Sequence, residues 1–172
     1  MSPQQAVDVT LEFIDMGRSV DNEFQWMAPS VTLDTEHNGI EWLTDYMVIM
    51  RRKKGIMRPS SWGVHPYTCN SVAALHESMR KWWDWYEIWG SGAQTIITEV
   101  CAEDAPLAVQ IAVMDECAAM LQRKEVAGVM WFAAYKGTAD GAPWLHYPLT
   151  TLDVTAQTVT LTDLGRHWKG LQ

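Results

Sequence analysis

Thr95-Ile96-Ile97-Thr98-Glu99-Val100 is a short run of β-branched and apolar residues that carries a single carboxylate near its end. Gly92 stands before it, and Asp104-Ala105-Pro106 just after it forms a helix-start signal. The run therefore reads as a buried strand over 94–100 that delivers Glu99 at its carboxyl-terminal tip. Parallel α/β proteins present reactive groups in this way, because their strands are buried on both faces and their ligands meet the strand ends. Two neighbouring segments follow the same plan, Trp62-Gly63-Val64-His65-Pro66-Tyr67 and Val126 through Tyr135.

Working outward, helices separate the strands. Ser2-Pro3-Gln4-Gln5 places an N-cap, a proline at the first helical position and a glutamine three residues after the cap, so residues 3–17 read as an amphipathic helix. Phe24 to Pro29 reads as a strand that breaks at Pro29-Ser30, with a polar loop over 32–38. Asn38-Gly39-Ile40-Glu41 repeats the capping arrangement and opens a helix to about residue 53. Ser71 caps a helix over 72–89, whose second half, with Trp82, Trp83, Trp85, Tyr86 and Trp89, is too aromatic for one core stripe. Some of those rings should be partly exposed or face a partner. A helix over 106–123, a fourth strand over 126–133 and a glycine-rich loop over 137–143 follow. A small hairpin (149–154 with 159–161) and a short final helix capped by Thr162 end the chain. This order predicts an α/β fold with a parallel sheet and right-handed helical crossovers. No GxGxxG or P-loop pattern follows any strand, which speaks against nucleotide-binding versions of that architecture.

The bulk properties narrow the partners. A chain of 172 residues suits one domain, and 48% hydrophobic with 20% charged residues is ordinary for a globular protein. A net charge of −8 argues against nucleic acid and anionic membranes. The one basic run, Arg51-Arg52-Lys53-Lys54, falls where a helix should end and reads as a dipole-complementing cap. No apolar run is long enough to span a bilayer, and residues 1–17 do not read as a signal peptide. Cys69, Cys101 and Cys117 give no metal pattern and no even disulfide set. A Cys69–Cys101 bridge is geometrically conceivable, and packed thiols are the preferred reading. His37, His65, His76, His146 and His167 show no ligand spacing, so neither a metal nor a cofactor is expected. Ten tryptophans are far above ordinary usage and favour a flat-faced ligand such as a sugar, although most belong in the core.

A carboxylate at a strand tip can stabilise positive charge at an anomeric carbon, as nucleophile or as acid/base. Its competing role is to cap the helix that begins near 105. Tyr67 beside it can donate its hydroxyl to the carboxylate and hold it ionised, and His65 can bond a sugar hydroxyl or serve as a buried histidine with a backbone partner. Trp131, within Val129-Met130-Trp131-Phe132, can form an apolar platform under a pyranose ring or pack in the core; alternation does not choose between it and its neighbours. Asn70 and Trp62 are weaker candidates.

The succession His-x-Tyr, Glu and Trp at three consecutive strand tips resembles strands six, seven and eight of the clan A glycoside hydrolases, retaining (β/α)8 TIM barrels. The segments GVHPYTCNS, TIITEV, VMWFAAY and LTDLGRHWKGL are most similar to the fungal alkali-sensitive-linkage type of glycosyl hydrolase, which is associated with β-1,3-glucan. The resemblance implies that Glu99 is the nucleophile, that His65 and Tyr67 are its site neighbours, and that Trp131 is the stacking residue. It also implies a polysaccharide or oligosaccharide substrate and a secreted or cell-wall setting. It covers nearly all of residues 1–172, but only the carboxyl-terminal half of such a domain, strands five to eight. The family's acid/base, an Asn-Glu at the tip of strand four, would precede the first helix. Asn22-Glu23 copies the dipeptide, yet it stands before the strand at 24–29, at the opposite end from Glu99. The expectation is thus a half-barrel completed by a complementing half or by a homodimer. The alternative is a non-catalytic carbohydrate-binding or assembly module derived from such an enzyme.

Overall fold

The computed structural model of the chain describes residues 1–33, 38–55, 58–67, 70–90, 92–102, 105–132, 148–153 and 156–171. Helix and strand alternate: α1 (Pro3–Val20), β1 (Val31–Thr32), α2 (Gly39–Lys54), β2 (Ser61–His65), α3 (Val72–Trp89), β3 (Gln94–Val100), α4 (Leu107–Gln122) and β4 (Gly128–Trp131). A hairpin of β5 (Thr150–Asp153) and β6 (Thr158–Leu161) follows, then α5 (Asp163–Gly170). The first four strands form one parallel sheet in chain order, β1-β2-β3-β4, while β5 and β6 pair antiparallel. Helices make the crossovers between the parallel strands, so the α/β fold expected from the sequence is the one observed, an arc of β/α units as in part of a TIM barrel.

Local chemistry sets the helix starts. The Ser2 hydroxyl accepts from the Gln5 N–H, and the Gln5 side chain accepts from the Ser2 N–H at 3.0 Å, closing a capping box. Ser71 and Thr162 accept from Ala74 N–H and Gly165 N–H at 3.1 and 3.0 Å. Asn38 departs from the expected capping arrangement: it sits in the left-handed region at φ 47° and makes no side-chain cap bond. Close packing explains the departure. A Cβ on Gly39 would lie 2.1 Å from the Thr32 carbonyl oxygen, so α2 begins pressed against the end of β1.

The first strand also differs from its sequence reading. Trp26 and Ala28 are hydrogen-bonded to Ser60 and Ser61, and Met27 bridges Ser61. The ladder lapses at Pro29-Ser30, where four steps from Met27 to Val31 face three from Ser61 to Val64. It then resumes at Val31–Thr32 against Val64 and His65, and Leu33 N–H reaches the His65 carbonyl at 3.0 Å. The break at Pro29 interrupts the strand without ending it.

Indoles cement the sheet to its helices. The rings of Trp62, Trp82 and Trp85 pack with centroids 5.0–6.4 Å apart. Each indole N–H finds an acceptor: Gly90 carbonyl for Trp62, the Thr95 hydroxyl for Trp82 and the Thr44 hydroxyl for Trp85, at 3.0–3.1 Å. Of the five rings in the aromatic half of α3, Trp82 and Trp85 are thus core. Trp83, Tyr86 and Trp89 remain partly exposed, with the Arg51 guanidinium 4.4 Å over the Trp89 ring. On α1, by contrast, Val9, Phe13, Met16 and Val20 form an exposed apolar stripe at helical spacing. Cys101 and Cys117 are buried; Cys69, and with it the bridge considered from the sequence, lies outside the described residues. Among the described residues no helix is long and apolar enough to cross a membrane.

Candidate active site

The ends of β2, β3 and β4 lie side by side, because Trp62 pairs with Thr95, Val64 with Ile97, Ile97 with Val129 and Val100 with Trp131. This register brings His65, Glu99 and Trp131 to one rim of the sheet, with Tyr67 in the turn just past His65. Which way each side chain points depends on the pleat. Trp62 and Val64 are fully buried, and Trp62 faces the α3 indoles, so Ser61, Gly63 and His65 face the other, concave side. On β3, Thr95 receives the Trp82 indole N–H, which puts Thr95 and Ile97 on the helix side. Strict alternation would send Glu99 there as well.

It does not, because the ladder slips. Between Ile97 and Val100 there are three steps on β3, against two between Val129 and Trp131 on β4. One extra residue is accommodated, and Val100 returns to the wall side, fully buried. Counting back from Val100 places Glu99 on the concave face, beside His65. The electrostatics agree: burial lowers the His65 imidazole below its ordinary range, and the Glu99 carboxylate acts in the opposite direction. Glu99 itself is half-buried. The bulge thus re-aims the carboxylate at the rim.

Aromatic rings flank this pair. The Tyr67 N–H is bonded to the His65 carbonyl at 2.9 Å, and their rings meet edge-on at 5.5 Å. Tyr67 in turn meets Phe132 at 6.3 Å. Trp131 shares the rim but not the concave face: only 7% of it is exposed, and its ring lies 6.5 Å from Trp168 of α5. The ring that meets Tyr67 is the next one, Phe132. Asn70 is exposed, one residue before the Ser71 cap of α3 and at the same end of the sheet. Asn22 and Glu23 are exposed at the opposite, amino-terminal end of β1.

Two supports for the rim were not singled out in the sequence. Thr98, inside the bulge, donates to Ser30 Oγ at 3.1 Å, so β1 and β3 are tied across β2. The tie passes over Gly63, where a Cβ would fall 1.9 Å from Ser30 Oγ. Gln110 of α4 is 3% exposed, and its amide grips both backbone groups of Ala102, accepting from the N–H at 3.1 Å and donating to the carbonyl. That clamp fixes the chain three residues past Glu99. A buried glutamine on the apolar side of α4 was its only sequence signal.

A carboxylate, an imidazole and a phenol on one concave rim, backed by aromatic rings, make an arrangement suited to a sugar. The profile of the glycosyl hydrolase catalytic core matches residues 1–152. The chain belongs to the glycosyl hydrolase catalytic core family. Among solved structures, an endo-β-1,4-glucanase from Xanthomonas axonopodis pv. citri carrying a triple mutation superposes with a TM-score of 0.58 at 13% identity. The match covers 99% of this chain and 56% of that one, so this glycosyl hydrolase chain spans little more than half the length of the glucanase. At that identity the likeness speaks for the fold alone. No curated protein matches the chain.

Proposed function

We propose that the chain supplies the nucleophile of a retaining β-glucan hydrolase, with Glu99 as that nucleophile. The observation that carries this reading is the bulged tip of β3, which turns Glu99 toward His65 in a chain of the glycosyl hydrolase catalytic core family. In the first step the Glu99 carboxylate attacks the anomeric carbon while a general acid protonates the departing glycosidic oxygen. Water, deprotonated by the same acid/base, then displaces Glu99 with net retention. His65, Tyr67 and Asn70 hold sugar hydroxyls and the carboxylate, and Trp131 stiffens the wall behind them. β-1,3-Glucan is the preferred substrate, on the similarity of the rim segments to the fungal alkali-sensitive-linkage type, which also suggests a cell-wall setting.

The acid/base is assigned to a further β/α segment that completes the barrel. Supporting this are the exposed stripe on α1, the outer edge of β1, which pairs only with β2 among the described residues, and the 56% coverage of the glucanase. Asn22-Glu23 stands at the wrong end of the sheet for the role. A missing acid costs on the order of 10²–10⁴-fold in rate.

The test is reducing-end release from laminarin and from carboxymethylcellulose by the wild type and Glu99→Gln, with the solution mass measured in parallel. The expected result is laminarin cleavage that Glu99→Gln lowers by on the order of 10³-fold or more. Undiminished cleavage by the variant removes Glu99 from the role, and cleavage of the β-1,4 polymer alone replaces the linkage. Binding without turnover in both proteins favours the second reading, a non-catalytic glucan-binding module. An active dimer assigns the completing segment to a second copy.

A further inference from the structure

We infer that the seam between α3 and α4, at the end of the sheet remote from Glu99, is a second glucan-binding groove. This rests on the reading of the protein as glucan-directed, but not on Glu99 as nucleophile. Two clefts meet there. One, of about 640 Å³, is lined by Trp83, Tyr86, Gln94, Lys124 and Glu125 among others. The next, of about 500 Å³, includes His76, Arg80, Glu116 and Arg123, and shares Trp83 and Glu125 with the first. Trp83 and Glu125 line both, so the two clefts adjoin along the seam and offer successive sites to a linear polymer rather than one enclosed site for a compact metabolite.

The lining is amphipathic in the way a pyranose ring requires. Trp83 is partly exposed and held edge-on against Tyr86 at 5.8 Å and 85°, while the Tyr86 hydroxyl is anchored on the Ala93 carbonyl. The polar groups are fixed before any ligand arrives. Arg123 bonds Glu116 at 2.7 Å and Glu125 at 2.8 Å, and His76 bonds Glu116 at 2.9 Å. Planar carboxylates and guanidinium held at set angles beside an aromatic face suit sugar hydroxyls and the apolar face of the ring. Charge is also informative. Arg80, Arg123 and Lys124 are offset by Glu116 and Glu125, and Arg80 is further tied to Glu77 and Asp84, so the seam favours a neutral chain over a polyanion. Gln94 and Glu99 lie five residues apart on β3, about 17 Å along the strand. The groove is thus an anchor for the polymer, separate from the reacting rim.

The test is native gel electrophoresis with and without laminarin in the gel, on the wild type, Trp83→Ala, Gln94→Ala and Glu99→Gln. The wild type and Glu99→Gln should be retarded equally. Trp83→Ala should lose about ten-fold in apparent affinity, the usual cost of removing an aromatic anchor. Gln94 is exposed, so Gln94→Ala keeps the fold and carries the test if Trp83→Ala unfolds; it should weaken retardation several-fold. Retardation unchanged in both groove variants, absent in the wild type, or lost in Glu99→Gln overturns the proposal. Hydrolysis of laminaritriose, scored on the same proteins, reads the Glu99 assignment separately: a Glu99→Gln protein that still cleaves, beside a Trp83→Ala protein that no longer binds, rejects the nucleophile and keeps the groove.

Discussion

His65 reports the geometry of the rim without any substrate. Its imidazole is half-buried, which disfavours the charged form, and the Glu99 carboxylate pulls the other way. The ring should therefore titrate below the ordinary value near 6.5, and replacing Glu99 by glutamine should lower its midpoint further. An NMR titration of the His65 ring protons in the two proteins checks this; a midpoint that ignores the substitution would separate the two groups in space. The sign for stability follows from linkage. An unfolded chain takes up the proton more readily than the folded one, so this residue costs nothing above pH 6.5 and destabilises progressively as pH falls toward the lower folded value. The sequence brought His65 and Glu99 to neighbouring strand tips but paired the carboxylate with Tyr67, because neither the extra residue in β3 nor the partial burial of the imidazole can be read from the order of residues.

At the scale of elements, the tip of β3 depends on what grips the chain beyond it. Gln110→Leu keeps volume but leaves the N–H and carbonyl of Ala102 buried without that partner, which should cost about 2–4 kcal/mol. Denaturant unfolding with an unchanged slope would show it; a midpoint equal to that of the wild type would mean that water takes over both bonds. The elements themselves were largely readable, for physical reasons that differ. Ser2, Ser71 and Thr162 announce helix starts because a hydroxyl is the group an unpaired helix N–H needs. β2 and β3 announce themselves as apolar runs. Asn38 misled because tight packing of Gly39 against Thr32, a tertiary fact, set the helix entry instead of the side chain. Pro29 misled because the Ala28 N–H just before it makes the bond to β2, so the proline nitrogen faces away from that strand and the chain can rejoin the ladder after one extra residue. Trp131 and Phe132 stand adjacent on a four-residue strand and its exit, and only the position of Trp168 on α5 decides which one faces the wall.

For the whole molecule, the decisive surface is the stripe of Val9, Phe13, Met16 and Val20 on α1. Contiguous exposed apolar surface of this kind is unusual on a protein that stands alone. In dilute buffer the chain should therefore show a concentration-dependent rise in mass by sedimentation equilibrium. Val9→Lys combined with Met16→Glu should abolish that rise while shifting the thermal midpoint by no more than about 4 °C, since both side chains point to solvent. Association that persists in the double variant would locate the contact elsewhere. None of this was evident from periodicity alone, because α1 has a proper buried side as well, with Ala6, Val7 and Ile14 in the core.

The slipped register between Ile97 and Val100 has a bearing on how relatives should be compared. Parity along a pleated ribbon is odd or even, so loss of one residue there would swing the glutamate into the helical shell while leaving it in place in an alignment. With Glu99 as the proposed nucleophile, such a lineage would fall silent with its signature letter intact. Counting the spacing through that kink is a stricter criterion for an active homologue than finding the acid itself.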